Sequence, residues 1–293
     1  MDKDNIVEVV SSIVEKFSEY NIDLLLCNSL LEKFGKLNLN IKNENILHTK
    51  ELYEKSDFIL SVGGDGTMLT IAYEAINHNT PLIGVNIGKL GFLAEFDLKG
   101  IDVLAKDLTT KNYEIEERII LSAVCQSAND EEMQAINDIV IDKGRWLKMI
   151  QLTIKVDDDY VTTFSADGII ISTPTGSTGY SLSTGGPIVS PIADAITLSP
   201  ISPHTLTMRP LVLSSNQKIE ITVDSLYTSV QVNCDGQRVY HYEPPATIEI
   251  VKDTRTIKLV HTNSTNYFQI LRNKLLWGLD VRTNSNNSEN ENG

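Results

Sequence analysis

Cysteine is scarce: Cys27, Cys125 and Cys234 are the only three in 293 residues. The count is odd, the spacings are wide and no CxxC pair occurs, which argues against a disulfide framework or a zinc site. Cys27 and Cys125 lie in apolar runs and are expected to pack as small hydrophobes. Long apolar runs are missing too, so no helical membrane span is expected. No charged-then-apolar leader follows Met1, and the expected compartment is the cytoplasm. Positive charge is in short supply, with 25 Lys and Arg against 39 Asp and Glu and a formal net charge of −14. Without a basic stripe, neither nucleic acid nor a membrane surface is an expected partner. A small anionic ligand is not excluded, because backbone amides and a metal ion overcome a distant negative field.

The length suggests two domains. Residues 4–19 carry Ile6, Val10, Ile13, Val14 and Phe17 at helical spacing, with Asp4 as a candidate cap. Residues 22–27 read as a buried strand, 58–62 and 82–86 as two more, and 67–77 and 100–109 as helices. This alternation predicts an α/β domain over 1–112 with a parallel sheet. From 113 to 262 the texture changes to strand-like segments at 115–125, 136–142, 149–156, 168–172, 210–213, 218–223, 229–233, 246–250 and 256–260. Asp157-Asp158-Asp159 and Asp235-Gly236 mark turns, so a mostly antiparallel all-β domain is expected. Residues 263–282 are expected to hold a closing helix, with Phe268, Leu271, Leu275 and Leu276 on one face, that packs back on the first domain. Residues 283–293 read as a disordered tail.

Gly63-Gly64-Asp65-Gly66-Thr67 follows a strand and opens a helix. Unpaired helix-start amides, the helix dipole and glycines that permit close approach all suit a phosphate. Asp65 would repel that phosphate unless it binds a metal or takes a proton from an attacking group. The common phosphate loops do not match: Gly88-Lys89 is followed by Leu90, and Leu69 stands where GxGxxG needs its third glycine. The plainer reading is a tight turn between strand and helix.

A second cluster runs from Asp167 to Pro187, dense in Ser, Thr and Gly and nearly free of charge. Such a loop supplies many donors at low steric cost, as a sugar-phosphate ligand requires. Tyr180 stands among small residues and is placed either to stack on a purine or to pin the loop from the core. No GxSxG elbow exists, because Thr175 precedes Ser177 by two places, so acyl transfer is disfavoured.

Together the two clusters resemble those of the NAD kinase family. The first is shared with diacylglycerol and sphingosine kinases; the second is more specific. Asn137-Asp138, Pro203-His204-Thr205-Leu206, Arg209-Pro210 and Asp235-Gly236-Gln237 also fit, so the resemblance spans about residues 55–280. It implies an α/β domain with a GGDGT loop joined to an all-β domain that binds NAD. The implied reaction is phosphorylation of the 2′-hydroxyl of NAD's adenosine ribose by ATP, with NAD lying across the interface between the domains. A divalent metal, magnesium by expectation, would be needed without a dedicated protein cage, and the assembly would be a homodimer or homotetramer. Residue by residue, the resemblance makes Asp65 the proton acceptor, with Gly66 beside it and Phe92 as a wall of the nucleotide site. It has Asn137 meet the adenine or the ribose, Asp138 accept from the ribose hydroxyls, and Asp167 make a further nucleotide contact. Thr178, Gly179, Tyr180, Ser181, Leu182 and Ser183 would wrap NAD. Lys148, standing where the family often has Arg, and Gln237 would contribute contacts, while His204 reads as structural.

Three features depart from the family pattern. The chain begins almost at once with a helix, so a first strand is missing or displaced. Gly179 replaces a usual Ala, and Ser165 stands where many relatives carry Arg, which would weaken its grip on an added phosphate. The alternatives are a lipid kinase of the wider superfamily, disfavoured by the polar second cluster, and a non-catalytic NAD(P) sensor, disfavoured by the presence of Asp65.

Overall fold

The computed structural model describes residues 3–30, 45–88, 91–126, 131–263 and 266–277; the tail expected from 283 lies outside them. In chain order the elements are α1 (Lys3–Glu19), β1 (Leu26–Cys27), β2 (Ile46–Leu47), α2 (Thr49–Lys55), β3 (Ile59–Val62), α3 (Asp65–Ala75), β4 (Leu82–Asn86), β5 (Phe96–Asp97) and α4 (Ile101–Thr110). There follow β6 (Tyr113–Cys125), β7 (Met133–Ala135), β8 (Asp138–Asp142), β9 (Ile150–Val156), β10 (Asp159–Ala166), β11 (Gly168–Ser172) and a short α5 (Tyr180–Ser183). The last are β12 (Ala195–Ile201), β13 (Leu211–Ser214), β14 (Ile219–Asp224), β15 (Val230–Cys234), β16 (Arg238–Tyr242), β17 (Ala246–Thr262) and α6 (Tyr267–Leu275).

Two compact units result. One takes the chain up to Met68, Ile83–Glu114 and the stretch from Val260 on; the other takes Leu69–Leu82 and Ile115–Leu259. The stretch 69–82, read from sequence as part of the first domain, therefore groups with the second. Its side chains explain why: Tyr73 lies 3.7 Å beneath the Arg238 guanidinium, Thr70 donates to Gln237, and Asn77 accepts from Arg255.

The first unit is α/β. Strand β4 is buried along its whole length, pairs in parallel with β5 through Val85 and Phe96, and has β3 as another neighbour. Val9, Ile13 and Phe17 of α1 and Ile101, Leu104 and Ala105 of α4 close the core over Ile83 and Val85. Helix α1 already includes Lys3, so Asp4 lies inside it rather than at its cap. The buried strand expected at 22–27 shrinks to Leu26–Cys27, paired with Ile46–Leu47. Asn21 turns left-handed after α1 (φ 56°), and the Leu24 carbonyl accepts from the Asn45 side chain instead of a ladder amide. Cys27 is only half-buried, its Sγ 2.9 Å from Ser29 Oγ, whereas Cys125 and Cys234 are buried.

Helix α6 is capped by Asn266, whose side chain accepts from the Phe268 and Gln269 amides, and ends at left-handed Leu276. Its buried residues are Ile270 and Leu271; Phe268 and Leu276 are exposed, correcting the face read from sequence. The buried positions are Ile270 and Leu271, with half-buried Tyr267 and the Asp65 partner Lys274 one turn to either side. The polar end of this set hid it from a count of apolar residues.

The second unit holds two antiparallel sheets. One runs β10-β9-β14-β17, the other β13-β12-β11-β8-β15-β16. Apolar side chains at every second residue of their strands meet in one core. Strand β9 gives Ile150, Leu152 and Ile154, β14 gives Ile219, Ile221 and Val223, β8 gives Ile139 and Ile141, and β11 gives Ile169 and Ile171. The turns at Asp157-Asp158 and Asp235-Gly236 fall where expected, all four residues having positive φ.

In this unit four strands escaped the sequence reading, β7, β10, β12 and β16, as did the two-residue β2 and β5 of the first. Strand β12 contains Pro200, a signal against a strand, yet Pro200 pairs with Ile169. The two segments expected at 246–250 and 256–260 are one continuous strand, β17.

Candidate functional site

The first glycine cluster builds a carboxylate-centred knot inside the first unit. Asp65 opens α3, and its Oδ2 accepts from the Phe92 amide at 3.0 Å and the Lys274 ammonium at 2.8 Å. Its Oδ1 accepts from the Leu93 and Ala94 amides at 3.0 and 3.1 Å. Two glycines make this approach possible. A Cβ on Gly91 would collide with Asp65 Oδ1, and one on Gly84 would stand 2.6 Å from the Ala94 Cα. Burial pushes the Asp65 carboxyl up, but Lys274 and the amides of Phe92, Ala94 and Leu93 outweigh it and hold the group below the usual carboxylate range. Phe92 is half-buried, with the Lys274 ammonium 4.6 Å from its ring centre and Tyr267 on its flank at 6.4 Å. Gly66 lies in the first turn of α3.

The second unit carries a cavity of about 230 Å³ lined by Asn137, Asp138, Val140, Asp142, Tyr180 and Asn233, together with Asp235 and Gly236. Asp235 fixes the backbone of its wall. The buried carboxylate accepts from the amides of Ile136, Asn137 and Asp138, and Arg238 pairs with it at 2.8 Å. Asp138 is different: it is buried, and none of the described residues donates a hydrogen bond to its carboxyl oxygens. Burial pushes it up to about 7, with the charge of Asp235 adding to the effect. Asn137 Oδ1 and Asn233 Oδ1 are also buried acceptors with no donor among the described residues. Three acceptors in one cavity therefore await donors.

The Ser/Thr/Gly cluster divides in two. Ser172–Ser177 is buried and satisfied internally, with Thr173 Oγ1 donating to the Ile136 carbonyl and Ser177 Oγ to the Pro174 carbonyl. This corrects the expectation that the whole loop displays donors. From Thr178 to Ser183 the chain turns toward the surface, yet only Tyr180 lines the cavity, 47% exposed, which excludes the core-tyrosine reading. Ser181 is buried against Ser199, Oγ to Oγ 2.9 Å. Ser183 Oγ donates back to the Tyr180 carbonyl, Thr178 and Leu182 are half-buried, and Gly179 is exposed.

The remaining candidates do not line this cavity. Asp167 pairs with Lys143, the Ser165 carbonyl accepts from the His204 amide, and the Lys148 side chain is exposed while its amide donates to Tyr227. Gln237 accepts from Thr70. Sequence reasoning missed Asn233, Arg238 and Lys274, and saw Asp235 mainly as a turn. The signal for Asp235 was a carboxylate placed before glycine at a hairpin tip, where it reaches neighbouring amides.

Among the described residues no group of three or more His, Cys, Asp or Glu is placed to hold a metal ion, and no helix is long and apolar enough to cross a membrane.

The chain is similar in sequence and fold to known proteins. The family model for the ATP-NAD kinase N-terminal domain matches residues 7–113, and that for the ATP-NAD kinase C-terminal domain matches residues 136–262. The NAD kinase of Geotalea daltonii is 41% identical over 230 residues, covering 78% of this chain and 81% of its own. That of Thermoanaerobacter sp. is 37% identical over 278 residues, covering 94% and 96%. Among solved structures, yeast NADH kinase complexed with NADH aligns with TM-score 0.80 at 25% identity, covering 94% of this chain and 85% of that one. An NAD kinase from Archaeoglobus fulgidus in complex with ATP aligns with TM-score 0.68 at 29% identity, covering 85% and 94%. Neither the lipid-kinase nor the sensor alternative gains support from these relatives, and the chain belongs to the NAD kinase family.

Proposed function

We propose that the protein transfers the γ-phosphoryl group of ATP to the 2′-hydroxyl of the adenosine ribose of NAD, giving NADP and ADP. The observation that carries the reading is the cavity with three donorless acceptors, Asp138, Asn137 Oδ1 and Asn233 Oδ1, beside an exposed tyrosine ring. Adenosine brings what these groups lack: an exocyclic amine, ribose hydroxyls and a flat base to stack on Tyr180.

Asp65 is the proposed proton acceptor, being the acid inside the glycine loop. Positioning and charge neutralisation carry most of the rate in phosphoryl transfer, and a general base adds about 10²–10⁴-fold. A divalent ion fits this arrangement as a companion of the donor phosphates rather than a resident of the protein. The four donors on Asp65 leave no cage, and no other acidic cluster is placed for a metal among the described residues. When bound, such an ion neutralises charge on the phosphoryl oxygens. We further propose a homo-oligomer working in the cytoplasm, on the family's precedent.

The test is a coupled assay with ATP, magnesium and NAD, in which NADP is detected by an NADP-specific dehydrogenase. NADP formation is expected, with turnover reduced at least about 100-fold in Asp65→Asn while NAD binding persists. Near-normal turnover in that variant would remove Asp65 from the reaction; no NADP from the unaltered protein would remove the reading itself.

A further inference from the structure

We infer that Lys274 is a further catalytic residue of this reaction: held on Asp65 before the donor arrives, it supplies a cation to the transferred phosphoryl group and thereby frees Asp65 to take the proton. The inference rests on the proposed NAD kinase chemistry.

All the parts it needs lie within the first unit. The Lys274 ammonium makes one bond to Asp65 Oδ2 and faces the Phe92 ring. An ammonium has three N–H donors. One is used on Asp65, and no other hydrogen bond from Lys274 is made to a described residue, so the rest are available to phosphoryl oxygens. The side chain is about one-third exposed, as a group meeting a ligand must be. Helix α6 delivers it one turn beyond Ile270 and Leu271, the buried residues that anchor the helix.

Asp65 poses a chemical difficulty to which Lys274 contributes, and which a shift of Lys274 onto the phosphoryl group relieves. A carboxylate with four donors is a poor base, since its lone pairs are already engaged. The three amides belong to the backbone of residues 92–94 and stay in place. Lys274 is the only one of the four on a flexible stem, and it is the one that carries a charge. A phosphoryl group that attracts its charge weakens the bond to Oδ2, so the base strengthens when the donor is present. The step then balances: the 2′-O–H bond breaks and its proton goes to Asp65 Oδ2. The 2′-O–Pγ bond forms, and the bond from Pγ to the β,γ-bridging oxygen breaks with its electron pair leaving on ADP.

The experiment compares Lys274→Met and Lys274→Arg with the unaltered enzyme. For Lys274→Met we expect kcat to fall about 100-fold or more, as when a charge-stabilising donor is removed. NAD affinity by calorimetry should stay within about twofold. The acid limb of kcat/KM, which reports the free enzyme in which Lys274 is held on Asp65, should move to higher pH, because Asp65 loses its cation. Lys274→Arg, which keeps a cation, should recover part of the loss. The inference is overturned if Lys274→Met keeps kcat within about threefold, if its acid limb does not move, or if Lys274→Arg is no better than Met. Should Lys274→Met fail to fold, judged by its melting curve, the Arg variant decides: wild-type kcat and pH profile support a cationic role, and a profile changed as strongly as by loss of Asp65 refutes it. Failure of the NAD kinase reading is distinct, since it would show as no NADP from the unaltered protein.

Discussion

Replacing Asp138 with Asn tests the site at its most unusual group. The carboxyl is raised from 3.8 to about 7 by burial and by Asp235. The sign follows from linkage: the folded state holds this proton more tightly than the unfolded chain does, so the stability the group contributes is fullest below about 4 and is lost as pH rises toward 7. The loss is about 1.4 kcal/mol per pH unit, reaching roughly 4 kcal/mol above pH 7. Asn does not titrate, so Asp138→Asn should match the wild type at pH 4 and exceed it by a few kcal/mol at pH 8. Urea unfolding of both proteins across that range measures the difference, in which the other titrating groups cancel. Binding should move the other way. NAD supplies donors to an ionised Asp138, so its affinity for the wild type should rise as pH passes 7 and stay flat in the variant. A stability difference independent of pH, or a variant less stable at pH 8, would refute the account of Asp138 as a carboxylate kept without donors.

Two other outcomes are expected. Tyr180→Ala should raise the KM for NAD about 10- to 100-fold, the worth of a base–aromatic stack, and leave the melting temperature unchanged because the ring is 47% exposed; an unchanged KM would remove the stacking role. Chelation by EDTA should abolish turnover without shifting the melting temperature of the ligand-free protein, because the described residues form no metal cage; a large shift would reveal one.

Much of the fold was legible because its signals are local. Strand β4 is a short apolar run closed by turn residues, α1 and α4 carry apolar residues at helical spacing, and the hairpin tips have Asp and Gly where positive φ is needed. The illegible parts depend on partners distant in sequence. Residues 22–25 lie outside the β1–β2 ladder, with the Leu24 carbonyl taken by the side chain of Asn45, and β12 pairs with β11 despite Pro200. At the site, the glycine loop and Asn137-Asp138 announced themselves by composition and resemblance. Lys274 did not: a lysine near the end of a helix reads as a favourable charge for the dipole, and only the fold brings it 209 residues back to Asp65. Ser181 shows the reverse case, a hydroxyl in a ligand-like loop that turns inward to Ser199.

The knot around Asp65 has a consequence for how the protein is made. Its carboxylate and glycines are translated early, its amides at 92–94 soon after, and its ammonium only with α6, after β17 has been laid down. A growing chain thus carries the phosphate loop through most of its synthesis without the cation that completes it. Until Lys274 emerges, the amides at 92–94 are the partners on hand for Asp65 and its ammonium is not, so a nascent chain or a product ending before Tyr267 has the signature motif but not the finished site.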